Sequence, residues 1–334
     1  MKTTKVAING FGRIGRAFFK LAANNENLEI IAINDLADKA NLEYLLKYDS
    51  VYGKTGESIL EKFRNLEFLQ EREAKNLPWG DLGIDIVVES TGVFNSYEKA
   101  KVHLGAGAKR VVISAPVKDD PKEAGIKGAT ILMGVNEKKL KTCDISSNAS
   151  CTTNAGSPVI GILDEAIGIE KAMLNTVHGY TSTQKVVDGP AKDPRKGRAA
   201  AVNIIPTSTG AAVATTKVHE QLEGKFDGIS MRVPVPAGSI VDLTFIAKKD
   251  TTVEEVNEAL LKASKSPQWE KFFTTTSEPL VSTDIIGETH ASIADLSMTR
   301  VVGGNLVKVL AWYDNEVGYA NALVEHVIES GKHI

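Results

Sequence analysis

Between Lys5 and Asp35 the chain carries the pattern that most restricts how it can fold. A short apolar run, Lys5 to Asn9, ends at Gly10-Phe11-Gly12-Arg13-Ile14-Gly15. A helical pattern follows from about Ile14 to Ala23, with Phe18, Leu21 and Ala22 on one face. A second apolar run, Leu28 to Asn34, then stops at Asp35. Strand, glycine turn, helix, strand and an acid about 20 residues beyond Gly15 together make a dinucleotide-binding fingerprint. Gly10, Gly12 and Gly15 permit a tight turn and close backbone approach, the helix N-terminus receives a pyrophosphate, and the Asp35 carboxylate meets the adenosine ribose hydroxyls. A carboxylate there repels a 2′-phosphate, and Asp35-Leu36-Ala37-Asp38 brings no basic residue beside it, so NAD rather than NADP is the expected cofactor.

The same texture continues with strand patterns at Ile84 to Glu89, Arg110 to Ser114 and Thr130 to Met133. Their continuous apolar character predicts parallel strands buried on both faces. At 334 residues the chain exceeds what one hydrophobic core usually supports. From Cys151 the pattern changes. A helical segment runs to about Ile167, a strand spans Met173 to Tyr180, and Ser182 to Arg198, with Gly189, Pro190, Pro194 and Gly197, reads as a long loop. A helical pattern at Gly210 to Leu222 precedes alternating runs at Ile229 to Val235, Ile240 to Ala247 and Val307 to Tyr313, which predict a mostly antiparallel, one-sided sheet. Glu316 to Ser330 reads as a closing amphipathic helix. The expected fold is α/β: a Rossmann domain over 1–150, completed by the C-terminal helix 315–334, and an α+β catalytic domain over 151–314.

A formal net charge of −3 gives no global reason to seek nucleic acid or anionic membrane as a primary partner. Two cysteines, Cys143 and Cys151, are too few for a disulfide framework and suit a reducing compartment, so a cytoplasmic location is expected. Met1 to Lys5 lacks the apolar stretch of a signal peptide, and no apolar run approaches the roughly 20 residues that span a bilayer. No metal is expected.

Ser146-Ser147-Asn148-Ala149-Ser150-Cys151-Thr152-Thr153-Asn154 sets a cysteine where a strand gives way to a helix. With Ser150 as N-cap, the positive helix end favours a thiolate. Cys143 lacks such a setting and reads as buried. A reactive thiol needs a base, and Thr176-Val177-His178-Gly179-Tyr180 offers a histidine at a strand end. His103, His219, His290, His326 and His333 read as structural or solvated.

Taken together, Asn9-Gly10-Phe11-Gly12-Arg13-Ile14-Gly15-Arg16, Ser147-Asn148-Ala149-Ser150-Cys151-Thr152-Thr153-Asn154 and Trp312-Tyr313-Asp314-Asn315-Glu316 closely resemble the glyceraldehyde-3-phosphate dehydrogenase family. The resemblance covers essentially the whole chain. It implies a homotetrameric glycolytic enzyme that oxidises glyceraldehyde 3-phosphate with inorganic phosphate and NAD. By that resemblance Cys151 is the nucleophile and His178 its base. Thr181, Thr183 and Arg232 match the substrate-phosphate site. Ser150, Thr152, Thr209 and Gly210 match the inorganic-phosphate site, with Arg198 near both anions. Hydroxyls, backbone N–H groups and arginine are what such anions require. Arg13, Ile14, Thr91 and Ser114 match further cofactor contacts, Asn315 a residue holding the nicotinamide amide, and Tyr319 one packing near the ring. Val186 to Ala201 resembles a loop that lies against a neighbouring subunit's cofactor. The chain departs from the common pattern at Ala155, where a second cysteine is frequent, and at Val317, where tryptophan is usual.

The implied chemistry is covalent: a hemithioacetal on Cys151, hydride loss with His178 taking the proton, then phosphorolysis of a thioester. An exposed, low-pKa thiolate sensitive to iodoacetate and peroxide is the further expectation. Erythrose-4-phosphate dehydrogenase, a relative with similar motifs, is the alternative activity. Thr181 with Thr183, Ile205-Pro206-Thr207-Ser208-Thr209-Gly210 and Asp35 fit it less well. A binding or regulatory role resting on Lys192 to Arg198 is the reading of another class.

Overall fold

The computed structural model describes residues 3–334; Met1 and Lys2, part of the segment read for a leader, lie outside the described residues. The chain divides into two compact units, one running up to Ala149 together with Ala320–Ile334, the other Ser150–Tyr319.

The first unit is built on seven parallel strands: β1 Thr4–Asn9, β2 Leu28–Asn34, β3 Glu67–Leu69, β4 Ile86–Glu89, β5 Arg110–Ile113, β6 Gly128–Thr130 and β7 Ile145–Ser147. Their spatial order is β3-β2-β1-β4-β5-β7-β6, and every pairing is parallel. Successive side chains enter opposite cores. Val6, Ile8, Ile86 and Val88 pack with helix α1 (Arg13–Ala22) through Phe18, Phe19 and Ala22, and with Leu323, Val324 and Val327 near the C-terminus. Ala7 and Val87 face the other way, into a cluster with Trp79, Tyr97 and Ile113. Burial on both faces is why these strands read as unbroken apolar runs.

One strand expectation needs correction. The run Thr130 to Met133 is not a strand beyond Thr130, because Asn136 folds the chain back: its Oδ1 accepts the Leu132 N–H and its Nδ2 donates to the Thr130 carbonyl. A polar residue six positions beyond Thr130 thus overrides the apolar pattern.

The second unit holds β8 Ile169–Gly179, β9 Ile205–Ser208, β10 Phe226–Val233, β11 Ser239–Ala247, β12 Phe273–Thr276, β13 Ser292–Val302 and β14 Leu306–Tyr313 in the order β9-β10-β8-β11-β14-β13-β12. Only β8–β10 and β12–β13 are parallel; the other neighbours are antiparallel. β11 alternates buried and half-buried residues along its whole length, as a sheet with one covered face requires. Helix α2, Cys151–Ala166, covers that sheet together with α3, Val253–Ala263, which begins with a Thr252–Glu255 capping box. The helical pattern Gly210 to Leu222 is realised only as a helix over Ala211–Thr216 and a short turn at Glu220–Leu222. Ser182 to Arg198 is a loop with one turn of 3₁₀ helix, Pro194–Gly197. Helix α4, Val317–Gly331, closes the chain.

Candidate active site

The reactive segment follows from three local choices. β7 ends at Ser147, and the chain enters α2 through Ala149, whose φ of 54° makes it the one non-glycine residue in the left-handed region among the described residues. Ser150 then caps the helix, its Oγ accepting the Thr153 N–H at 3.1 Å. Cys151 is the first helical residue, and no acidic side chain in the first turn neutralises the positive helix end.

His178 reaches the thiol from β8, with Sγ and Nε2 3.3 Å apart. The parallel register pairs His178 with Arg232 on β10. This brings Arg232 Nη1 to 2.6 Å from His178 Nδ1 and lets it donate to the Gly179 carbonyl at 3.1 Å. That carbonyl also stands 2.7 Å from Nδ1. Two partners compete at Nδ1: a proton there donated to Gly179 O leaves Nε2 as the acceptor facing the thiol, the tautomer a base requires, whereas an Arg232 N–H donated to Nδ1 keeps the ring proton on Nε2. Tyr313 fixes the ring edge-to-face, with centroids 5.9 Å apart, and its own hydroxyl bonds Thr152 and Thr176.

Burial, reinforced by the Arg232 cation, pushes the His178 imidazole down to about 3. Burial also pushes the Cys151 thiol up, against the pull of Arg232 and of the Thr152 backbone donor. The expectation of an exposed, low-pKa thiolate is therefore corrected. The residue is only partly exposed, and desolvation outweighs the helix end and the guanidinium. Either charge alone is disfavoured here. Cys143 is buried, its thiol likewise pushed up by desolvation.

The remaining anion-site candidates are placed unequally. Ser150 and Thr152 flank Cys151, but their hydroxyls already engage Thr153 and Tyr313. Thr181 and Thr183 stand together with Oγ1 atoms 3.0 Å apart. Thr209 Oγ1 accepts the Ala211 N–H, and exposed Gly210 opens the short helix behind it. Arg198 is held by Asp188 within its loop at 3.0 Å. Neither Thr209 nor Arg198 touches the cysteine–histidine pair among the described residues.

In the first unit a cavity of about 370 Å³ is lined by Gly10, Gly12, Asn34, Asp35, Thr91 and Phe94, among others. Gly10 has φ +96°, and a Cβ there would lie 2.6 Å from the Thr91 nitrogen. A Cβ on Gly15 would strike the Gly10 carbonyl, so this glycine lets the helix pack on the turn. Gly12, the N-cap of α1, offers no side-chain acceptor to the first-turn N–H groups and faces open space. A helix N-terminus with no side-chain cap, opening on a cleft, fits a pyrophosphate. Asp35 Oδ2 accepts the Phe11 N–H at 2.7 Å and Oδ1 the Ala37 N–H at 2.9 Å, so the acid also ties the glycine turn to the second strand. Arg13 pairs with Asp49, Ile14 packs on the core, and Ser114 N donates to the Glu89 carbonyl; none of the three lines this cavity. Asn315 and Tyr319 lie in the second unit, both buried.

Several residues escaped the motif reading. Buried Glu89 accepts from Asn9 Nδ2, from His103 Nε2, and from both the N–H and hydroxyl of Thr91, while Trp79 Nε1 donates to His103 Nδ1. Asp314 accepts from Gly287, Glu316 and Val317 N–H groups, anchoring the turn that carries Asn315. An aspartate just ahead of a helical pattern is a readable cap signal. Apart from Thr91, the partners of Glu89 are distant in sequence and left none. Among the described residues no cluster could hold a metal ion, and no helix is long and apolar enough to cross a membrane.

Comparison with known proteins extends these observations. Residues 4–97 match the family model for the glyceraldehyde 3-phosphate dehydrogenase NAD binding domain, and residues 150–315 that for the C-terminal domain. A glyceraldehyde-3-phosphate dehydrogenase of Borreliella burgdorferi is 48% identical, covering 96% of this chain and 98% of that protein. One from Geobacillus stearothermophilus is 47% identical over 96% of each. Glyceraldehyde-3-phosphate dehydrogenase 2 of Streptomyces avermitilis is 45% identical over 99% of this chain and all of its own length.

Proposed function

Since the chain belongs to the glyceraldehyde-3-phosphate dehydrogenase family, we propose that it oxidises D-glyceraldehyde 3-phosphate, with NAD and inorganic phosphate, to 1,3-bisphosphoglycerate. The observation that carries this reading is the 3.3 Å approach of Cys151 Sγ to His178 Nε2. The thiol gives its proton to Nε2, the sulfur adds to the aldehyde carbon, and Nε2 passes the proton on to the new alkoxide oxygen, forming a hemithioacetal and leaving the imidazole neutral. When bound, NAD supplies the hydride acceptor. His178 takes the hemithioacetal hydroxyl proton as the carbon loses its hydride, leaving a thioester that keeps the oxidation energy. Phosphate then attacks the thioester carbon, the acyl phosphate departs, and the thiolate is restored.

Arg232, with Thr181 and Thr183, is assigned to the substrate phosphate. Ser150, Thr152, Thr209 and Gly210 are assigned to the attacking phosphate, and Arg198 to the neighbourhood of both. Gly10, Gly12, Gly15 and Asp35, with Arg13, Ile14, Thr91, Ser114, Asn315 and Tyr319, are assigned to NAD. Cofactor binding is ascribed to 1–150 with 315–334, and the chemistry to 151–314. Assembly as a homotetramer is ascribed to the chain from its family; exposed Val186, Val187, Val202 and Ile204 are apolar side chains that association with another copy would cover.

The test is NADH formation by the purified protein from glyceraldehyde 3-phosphate and NAD, with and without phosphate. Rapid turnover only with phosphate upholds the reading. Turnover indifferent to phosphate, or a preference for erythrose 4-phosphate, favours the related dehydrogenase.

A further inference from the structure

Asn315 is useful to a cofactor only if its amide points the right way round, since one end donates and the other accepts. Ser239, the first residue of β11, decides this. It is 1% exposed, and its hydroxyl makes two contacts. The Gly179 N–H donates to Oγ at 3.2 Å, and Oγ lies 2.9 Å from Asn315 Oδ1. A backbone N–H can only donate, so the hydroxyl proton is left for Asn315. With the amide reversed, Oγ would accept twice and bury its own proton without an acceptor, which costs more than the ordinary gain of a hydrogen bond. Asn315 therefore turns Oδ1 inward. Its Nδ2 makes no hydrogen bond among the described residues and is not sealed from solvent. The outward face of Asn315 is a donor. The same hydroxyl holds the N–H of Gly179, the residue whose carbonyl meets His178 Nδ1.

We propose that Ser239 is a positioning residue that fixes Asn315 as a hydrogen-bond donor toward the carbonyl oxygen of the nicotinamide carboxamide, while steadying the residue whose carbonyl meets His178. The inference rests on the assignment of Asn315 to the nicotinamide. It implies that a cofactor analogue is tolerated as far as its carboxamide position keeps a strong acceptor. Thionicotinamide adenine dinucleotide, whose sulfur accepts hydrogen bonds weakly, is the probe.

The experiment is a double-mutant cycle on the full-length protein with Ser239→Ala, Asn315→Ala and both, measuring kcat/KM for NAD and for the thio analogue. Ser239→Ala is expected to lower kcat/KM for NAD about 3- to 10-fold, the worth of one hydrogen bond, and to narrow the preference for NAD over the thio analogue. The double variant should retain the preference ratio of Asn315→Ala alone, and Ser239→Thr, which keeps the hydroxyl, should restore the wild-type ratio. A ratio unchanged in Ser239→Ala, or one that shifts further in the Asn315→Ala background, overturns the inference while leaving Asn315 on the cofactor. If Asn315→Ala alone changes neither quantity, the nicotinamide assignment itself fails and the inference falls with it. Should Ser239→Ala not fold, Ser239→Cys, a weaker donor of similar shape, carries the same comparison.

Discussion

Arg232 Nη1 lies 2.6 Å from His178 Nδ1, on the side of the ring away from the thiol. A cation so placed disfavours a second positive charge on the imidazole and favours a negative one on Cys151. Replacing Arg232 with alanine should raise the His178 pKa, push the Cys151 thiol further up, and so slow alkylation of Cys151 by iodoacetamide severalfold at neutral pH. Timed alkylation followed by mass spectrometry measures this. An unchanged rate would show that the guanidinium does not act on the thiol.

Cys151→Ser should lose nearly all dehydrogenase activity yet bind NAD as the parent does. His178→Asn should fall by about 10²–10⁴-fold, the usual contribution of a positioned base. Steady-state rates and NAD titration by fluorescence distinguish loss of chemistry from loss of cofactor. Near-normal turnover in the serine variant would remove the thiol from the mechanism.

Stability should fall on acidification below pH 6.5. Burial pushes both His178 and His326 down to about 3, so between about pH 6.5 and 3 the unfolded chain binds protons that these two folded imidazoles refuse. A depressed histidine contributes stability that is present above its unfolded pKa and is lost as pH drops through this window. The slope approaches about 1.4 kcal/mol per pH unit for each group. Denaturant unfolding at pH 7, 6 and 5 should show it, and His326→Gln should flatten it by about one proton. His326 lies between Ser146 and Asn148, so that variant should also lower stability at pH 7.

Asp35→Ala should do more than relax the choice between NAD and NADP. It removes the acceptor for both the Phe11 and Ala37 N–H groups, so a loss of about 1–3 kcal/mol is expected alongside weaker NAD binding. Thermal unfolding without cofactor isolates the first effect, and cofactor titration the second. A variant with unaltered melting and unaltered NAD affinity would deny the carboxylate both roles.

The parallel sheet was legible because its strands are buried on both faces, so apolar runs and glycine turns sufficed to find β1, β2, β4 and β5. Met173 to Tyr180 found the site end of β8 but not its start at Ile169, since exposed Glu170 and Lys171 break the apolar pattern there. β13 went unread: its Asp295 and Arg300 lie on either side of a register irregularity, which interrupts period-two alternation. Motifs pointed to Cys151, His178 and Asn315, whereas Ser239, Glu89 and Tyr313 owe their places to partners tens of residues away. No local pattern encodes such pairings. Their physical signal, a polar group sealed from water, exists only once the chain is folded.

Ala149 takes up a backbone geometry in which most chains would place glycine, two residues before the sulfur. A methyl group there raises the energy of the turn by about 1–2 kcal/mol. It also denies the peptide the many alternative torsions glycine would sample. The hydrogen bonds of Ser147 to the Ala149 N–H and of Ser150 to the Thr153 N–H hold the segment against that strain, and with few neighbouring torsions open to alanine the first turn of α2 keeps one pose. A glycine at this position would relieve the strain of the turn and be looser in where it delivers the nucleophile.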